Sequence, residues 1–145
     1  MHDLPRQLSR EGLAELFEGD TALVRKLAER DDPLGSARDV IRTLSEEEKL
    51  EALNAHPAIG TRNLSARSAA EQGNDADPAI LTELAYQNQI YEEKFGFRFV
   101  VFVNRRSKAE ILDVLRERLQ RTREEELDTA LEELVSIAED RWRTS

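Results

Sequence analysis

An all-α fold is predicted by three features of this chain. Apolar residues recur at three-to-four spacing in stretch after stretch, each headed by Ser, Thr or Asp. Three headings, Ser45 with Glu48, Ser107 with Glu110 and Thr122 with Glu125, have the Ser/Thr-x-x-Glu pattern of a capping box. Only one run, Phe95 to Val103, departs from this pattern, and a lone strand cannot make a sheet. The expectation is a compact single-domain helical bundle of about seven to eight helices, with one extended apolar segment (residues 95–103) crossing it.

The elements follow in order. Ser9 heads Leu13, Leu16 and Phe17, and Gly19 stops that stripe. Thr21 opens a short helix with Leu23, Val24 and Leu27, closed by Asp31, Asp32 and Pro33. Ser36 precedes Ala37, Val40, Ile41 and Leu44, and the Ser45 box opens a helix with Leu50 and Leu53. Pro57 and Gly60 then break the pattern after His56. Ser65 can cap a short helix with Ser68, Glu71 and Gln72, ending near Gly73. Asp77 and Pro78 read as N-cap and first residue of a longer helix with Leu81, Leu84 and Tyr91. The Ser107 box starts a helix with Ile111, Leu112, Leu115 and Leu119. The Thr122 box starts one with Leu127, Leu131, Leu134, Ile137 and Ala138.

Composition removes whole classes of chemistry. The 145 residues carry 21 Lys and Arg against 30 Asp and Glu, a formal net charge of −9. Such a field repels phosphate, which argues against nucleic acid and anionic membrane as partners. With no Cys, disulfides, thiolate metal sites and cysteine nucleophiles are excluded together. The only histidines are His2 and His56, so zinc lacks ligands and imidazole chemistry has one internal location. Neither a phosphate-binding loop nor a dinucleotide-binding glycine turn is present. No run has the length of a membrane span or the character of a signal peptide, so the cytoplasm is the expected compartment.

Each candidate site residue also has a plain structural explanation. A His at a helix C-terminus before Pro is favoured there by the helix dipole, catalysis or not. Ser68, Glu71 and Gln72 would share one helical face, a hydroxyl, a carboxylate and an amide beside small alanines. The same Ser68 and Glu71 also fit a capping box. Asn88, Tyr91, Phe95 and Phe97 read as core with a polar handle, and Glu124 to Glu126 as a solvated first turn. Arg141 is either an ordinary surface arginine or the fixed cation an anionic substrate requires in so acidic a protein. The extended run needs partners for its backbone groups, and a bound polar ligand is one candidate.

Taken together, these segments resemble the 2-oxo-4-hydroxy-4-carboxy-5-ureidoimidazoline (OHCU) decarboxylases of the uric acid to allantoin pathway. The matching pieces begin with His56-Pro57-x-Ile59-Gly60 and Ser68-x-x-Glu71-Gln72. They continue with Asn88-x-x-Tyr91-x-x-Lys94-Phe95-Gly96-Phe97-x-Phe99, then Arg118-Leu119, Glu126, Ala130-Leu131 and Ile137-x-x-x-Arg141. The chain departs from the family pattern at Ala58 and Ile59, where Asp and Leu are usual, and at Arg98, where Pro is usual.

The resemblance implies an all-α bundle, no metal or organic cofactor, and a homodimer as in several members. It implies stereoselective loss of CO2 from OHCU, giving (S)-allantoin. His56 takes the role of general acid and Glu71 that of its catalytic partner. Pro57, Ser68 and Gln72 become substrate contacts, as do the backbone groups of Phe99, Val100, Val101, Phe102 and Val103. Arg141 becomes the substrate-facing cation. Glu71 either orients the His56 ring or holds the substrate hydroxyl. Two rival readings stand beside this one: a non-enzymatic helical interaction module docking through residues 95–103, and the same fold acting on a related ureido or hydantoin acid.

Overall fold

The computed structural model describes residues 8–57 and 77–144, and among them the regular structure is entirely helical. Seven helices are seen: α1 (Arg10–Leu16), α2 (Ala22–Leu27), α3 (Ala37–Thr43), α4 (Glu46–Ala55), α5 (Pro78–Phe95), α6 (Lys108–Arg118) and α7 (Arg123–Thr144). The expected helix around Ser68, Glu71 and Gln72 lies outside the described residues.

The starts are set by local chemistry. Ser9, Thr21, Ser45, Asp77 and Ser107 each accept a backbone N–H of the first turn they precede. The boxes at Ser45 and Ser107 are complete. At α7, Thr122 N–H donates to Glu125 Oε1 at 3.0 Å and Glu125 N–H to Thr122 Oγ1 at 3.1 Å, closing the third box. Ser36 heads α3 without a side-chain cap bond. Gly96 ends α5 at φ 82°, where its N–H bonds to Glu92 O, the left-handed stop that glycine tolerates best.

The chain divides into two compact units, Met1–His56 with Leu134–Ser145, and Pro57–Glu133. In the first, α2 packs on α1, α3 and α4. Leu13, Leu23, Val24, Leu27, Ala37, Val40, Leu53, Val135 and Ala138 have essentially no exposure. The buried face of α4 is Ala52 and Leu53, while the expected Leu50 is only half-buried. The Glu51 carboxylate accepts the Ala22 N–H at 2.9 Å, which ties α4 to the start of α2.

In the second unit, α5 packs on α6. Leu84, Asn88, Tyr91 and Phe95 form the buried stripe of α5, and Ile111, Leu112 and Leu115 that of α6. Residues 98–103 are irregular rather than strand, with Phe95 still inside α5. Asn104 and Arg105 follow at φ 48° and 65°, and Arg106 N–H closes the turn onto Val103 O at 3.0 Å. Two successive positive φ values mark a mirror-image turn.

Candidate active site

His56 sits where α4 stops. Its φ and ψ of −80° and 134° are extended, the conformation a residue before proline prefers, and its N–H still reaches Leu53 O at 3.2 Å. The side chain is only 8% exposed, so Pro57 both ends the helix and leaves an imidazole buried at its carbonyl end. Buried Leu53 and the Glu51 bond to Ala22 fix the helix that carries it.

Arg141 is not a surface arginine: at 1% exposed it is the largest fully buried side chain described. Its Nη1 donates to Leu16 O and to Glu18 Oε1, both at 3.0 Å. Leu16 O belongs to the last turn of α1, where carbonyls lack helical donors and a cation suits the dipole. Glu18 itself has φ 65°. Gly19, the next residue, runs so close to α4 that a Cβ there would lie 3.1 Å from Ala55 Cβ. The turn between α1 and α2 thus holds Arg141 with one residue and abuts the residue before His56 with the next.

The segment expected to offer its backbone to a ligand is served in part by side chains. Arg118 Nη1 donates to Val100 O at 2.8 Å, and Phe102 N–H donates to Glu133 Oε1 at 3.1 Å. Arg106 donates from Nη2 to Phe102 O at 2.6 Å and from Nε to Val103 O at 3.2 Å. Phe99, Val100, Val101 and Val103 are buried, and Phe102 is half-buried. Contact with substrate through the Phe102 N–H therefore requires displacing Glu133.

Behind this segment lies a buried polar cluster. Glu126, fully buried, accepts from Tyr91 Oη at 2.6 Å, Arg118 Nε at 2.7 Å and Arg121 Nη1 at 3.0 Å. This corrects the expectation of a solvated Glu124–Glu126 turn: Glu124 and Glu125 are exposed, but Glu126 points into the core. Burial, and next the hydrogen bond to Glu126, push the Tyr91 phenol well above its ordinary value. The Arg118 guanidinium also lies over the Phe99 ring, 4.7 Å from its centroid.

Of the residues singled out in the sequence, His56, Pro57 and Arg141 and the run Phe99–Val103 are placed, while Ser68, Glu71 and Gln72 lie outside the described residues. Glu18, Gly19, Arg106 and Glu133 were not foreseen. The signal for Glu18 was faint: an acid directly before the glycine that ends a helical stripe. Among the described residues no group of three or more His, Asp or Glu is arranged to hold a metal ion, and no helix is long and apolar enough to cross a membrane.

The profile of OHCU decarboxylase matches residues 3–143. A uric acid degradation bifunctional protein of Bacillus sp. (strain TB-90) is 33% identical over 138 residues, covering 87% of this chain and 27% of that protein. The 2-oxo-4-hydroxy-4-carboxy-5-ureidoimidazoline decarboxylase of Haloferax volcanii is 34% identical over 115 residues, covering 74% of this chain and 68% of that one. The chain spans 27%, 36% and 60% of the length of three curated relatives that it matches. In fold it resembles the crystal structure of an OHCU decarboxylase in the presence of (S)-allantoin, with a TM-score of 0.78 and 27% identity, covering 94% of this chain and 96% of that one. The crystal structure of an (S)-allantoin synthase shares the fold at a TM-score of 0.71 and 23% identity, covering 93% of this chain and 48% of that one. Fold and sequence thus point to the same helical decarboxylases. The chain belongs to the OHCU decarboxylase family.

Proposed function

We propose that this chain, acting as one domain, is a cofactor-independent carboxy-lyase that converts OHCU to (S)-allantoin in urate breakdown. One observation carries the reading: the likeness to an OHCU decarboxylase runs nearly end to end, over 94% of this chain and 96% of that one. A cytoplasmic homodimer is the assembly proposed with it.

Loss of CO2 leaves an electron pair on the carbon that carried the carboxylate, next to an imine and a carbonyl. The ring spreads that charge over its own nitrogen and oxygen atoms, so an electron-sink cofactor is not obligatory. The protein then supplies charge stabilisation and a proton from one face. His56 as imidazolium gives that proton to the carbon, and a single donor fixed at the end of α4 makes the product one enantiomer. An imidazole suits this exchange near neutral pH. Glu71 is assigned as its partner, with Pro57, Ser68 and Gln72 as substrate contacts.

Arg141 binds the anionic substrate through a forked pair of hydrogen bonds. A carboxylate gripped too firmly stabilises the ground state that must be destroyed, so its role is binding and orientation. Backbone groups of Phe99–Val103 face the developing negative oxygen.

His56→Asn tests the reading. The variant is expected to keep its helical circular dichroism and lose accelerated formation of (S)-allantoin from freshly generated OHCU. The readout is chirality, because spontaneous decay gives racemic product. Undiminished enantiomeric excess in the variant excludes His56 as the proton donor, and racemic product from the wild-type protein excludes the activity.

A further inference from the structure

We infer that Arg118 is a positioning residue for the reaction: by holding the Val100 carbonyl it presents the Val101 N–H to the oxygen on which negative charge develops. This deepens, and rests on, the assignment of the Phe99–Val103 backbone to that oxygen made above. The described residues contain no cis peptide bond, and in a planar trans peptide the C=O and N–H point to opposite sides. Arg118 Nη1 donates to Val100 O at 2.8 Å. The N–H at the other end of that peptide, which belongs to Val101, is therefore directed away from the guanidinium. Val101 is buried, and among the described residues its N–H meets no acceptor. A buried N–H calls for a partner, and a substrate oxygen is one that only the bound state supplies.

The neighbouring peptides show why this one suits the task. The Phe102 N–H already faces the Glu133 carboxylate at 3.1 Å, a charge that repels an oxyanion. The peptide that ends in the Val103 N–H also has a cation on its carbonyl, Arg106 on Phe102 O, but Arg106 is half-buried and lies in the same turn. Arg118 is 5% exposed and is held on three sides: Nε on Glu126 at 2.7 Å, Nη1 on Val100 O, and the guanidinium over the Phe99 ring at 4.7 Å. Arg121 Nη1 reaches Glu126 too, at 3.0 Å, so one buried carboxylate stands between two cations and positive charge is in excess behind Val100. A cation on the carbonyl polarises the amide and strengthens its N–H as a donor. Such a donor, fixed before the reaction, stabilises developing charge without reorganisation.

The test is Arg118→Met, which cannot bond the carbonyl, beside Tyr91→Phe, which weakens the same cluster but leaves Arg118 on Val100 O. For Arg118→Met we expect retained helicity, a kcat on OHCU lowered about thirtyfold and a KM within about threefold of wild type, the pattern of an interaction made in the transition state. Tyr91→Phe is expected to keep kcat within about threefold. A wild-type kcat in folded Arg118→Met overturns the inference. So does an equal loss of kcat in both variants, which would trace activity to the stability of the cluster. A second arm needs no variant: the backbone amide of Val101 is followed by NMR as (S)-allantoin is added to the wild-type protein. Its proton should move downfield on binding, and an unmoved Val101 amide overturns the inference. If the wild-type protein makes no excess of (S)-allantoin, the decarboxylase reading falls, whereas (S)-allantoin formed by a protein whose Val101 amide stays unmoved sinks the inference alone.

Discussion

Arg118 reaches two partners from one guanidinium: Nη1 donates to the Val100 carbonyl at 2.8 Å while Nε donates to Glu126 at 2.7 Å. It thereby joins the irregular segment after α5 to the first turn of α7. Replacing it by Met fills the space but takes the Arg118 donor from the Val100 carbonyl and the buried cation from Glu126, which keeps the Tyr91 hydroxyl and the part-exposed Arg121. Breaking a buried pair by removing one member costs about 3–5 kcal/mol. Arg121 also touches Glu126, but its side chain is 38% exposed, and losing it should cost less than about 1 kcal/mol. Urea unfolding of Arg118→Met and Arg121→Ala should separate the two clearly, and equal midpoints would show that Glu126 needs neither arginine in particular.

Tyr91 gives a prediction with a pH signature. The folded protein holds its phenolic proton above the ordinary value of 10.0, chiefly through burial and then through the bond to Glu126. Its protonated form is neutral, so the contribution to stability is complete below pH 10.0 and declines as pH rises beyond it, where the unfolded chain ionises first. The decline is about 1.4 kcal/mol per pH unit for one proton. Tyr91→Phe should lose about 1–2 kcal/mol at neutral pH, since Glu126 forfeits a donor, and should show a shallower fall in alkali. Parallel slopes for the two proteins between pH 10 and 12 would contradict this account.

The fold was legible wherever short-range chemistry decides. Ser45, Ser107 and Thr122 announce helix starts with a Glu three residues on, and each box forms. Long-range partners were not legible. Glu124, Glu125 and Glu126 look alike in sequence, and only Arg118 and Tyr91, 8 and 35 residues away, single out the third for burial. The apolar run after α5 is irregular, neither helix nor strand, and two of its polar partners, Arg118 and Glu133, are side chains remote in sequence. At the site, Pro57 fixed the helix end that carries His56 in a way a reader could foresee. That Arg141 is buried and held by Glu18 required the tertiary structure.

Gly19 offers the most direct test of how the turn after α1 governs the end of α4. A Cβ at Gly19 would lie 3.1 Å from Ala55 Cβ and 3.8 Å from Thr21 Cγ2. The second distance is ordinary contact; the first is tight enough that one backbone must yield by a few tenths of an ångström. Ala55 is the last residue of α4, so its displacement carries His56 with it. Gly19→Ala should therefore cost about 1–2 kcal/mol by crowding. With His56 as the proton donor proposed above, it should also lower kcat on OHCU, because proton donors tolerate little misplacement. Ala55→Gly alone should cost about 0.5–1 kcal/mol through helix propensity, with no crowding relieved. In the double variant the clash disappears, so kcat should return toward wild type and the stability losses should fall short of additivity by at least about 0.5 kcal/mol. Strict additivity of the two changes, in kcat and in stability alike, would mean that Gly19 is required for its own backbone and not for the room it leaves beside Ala55.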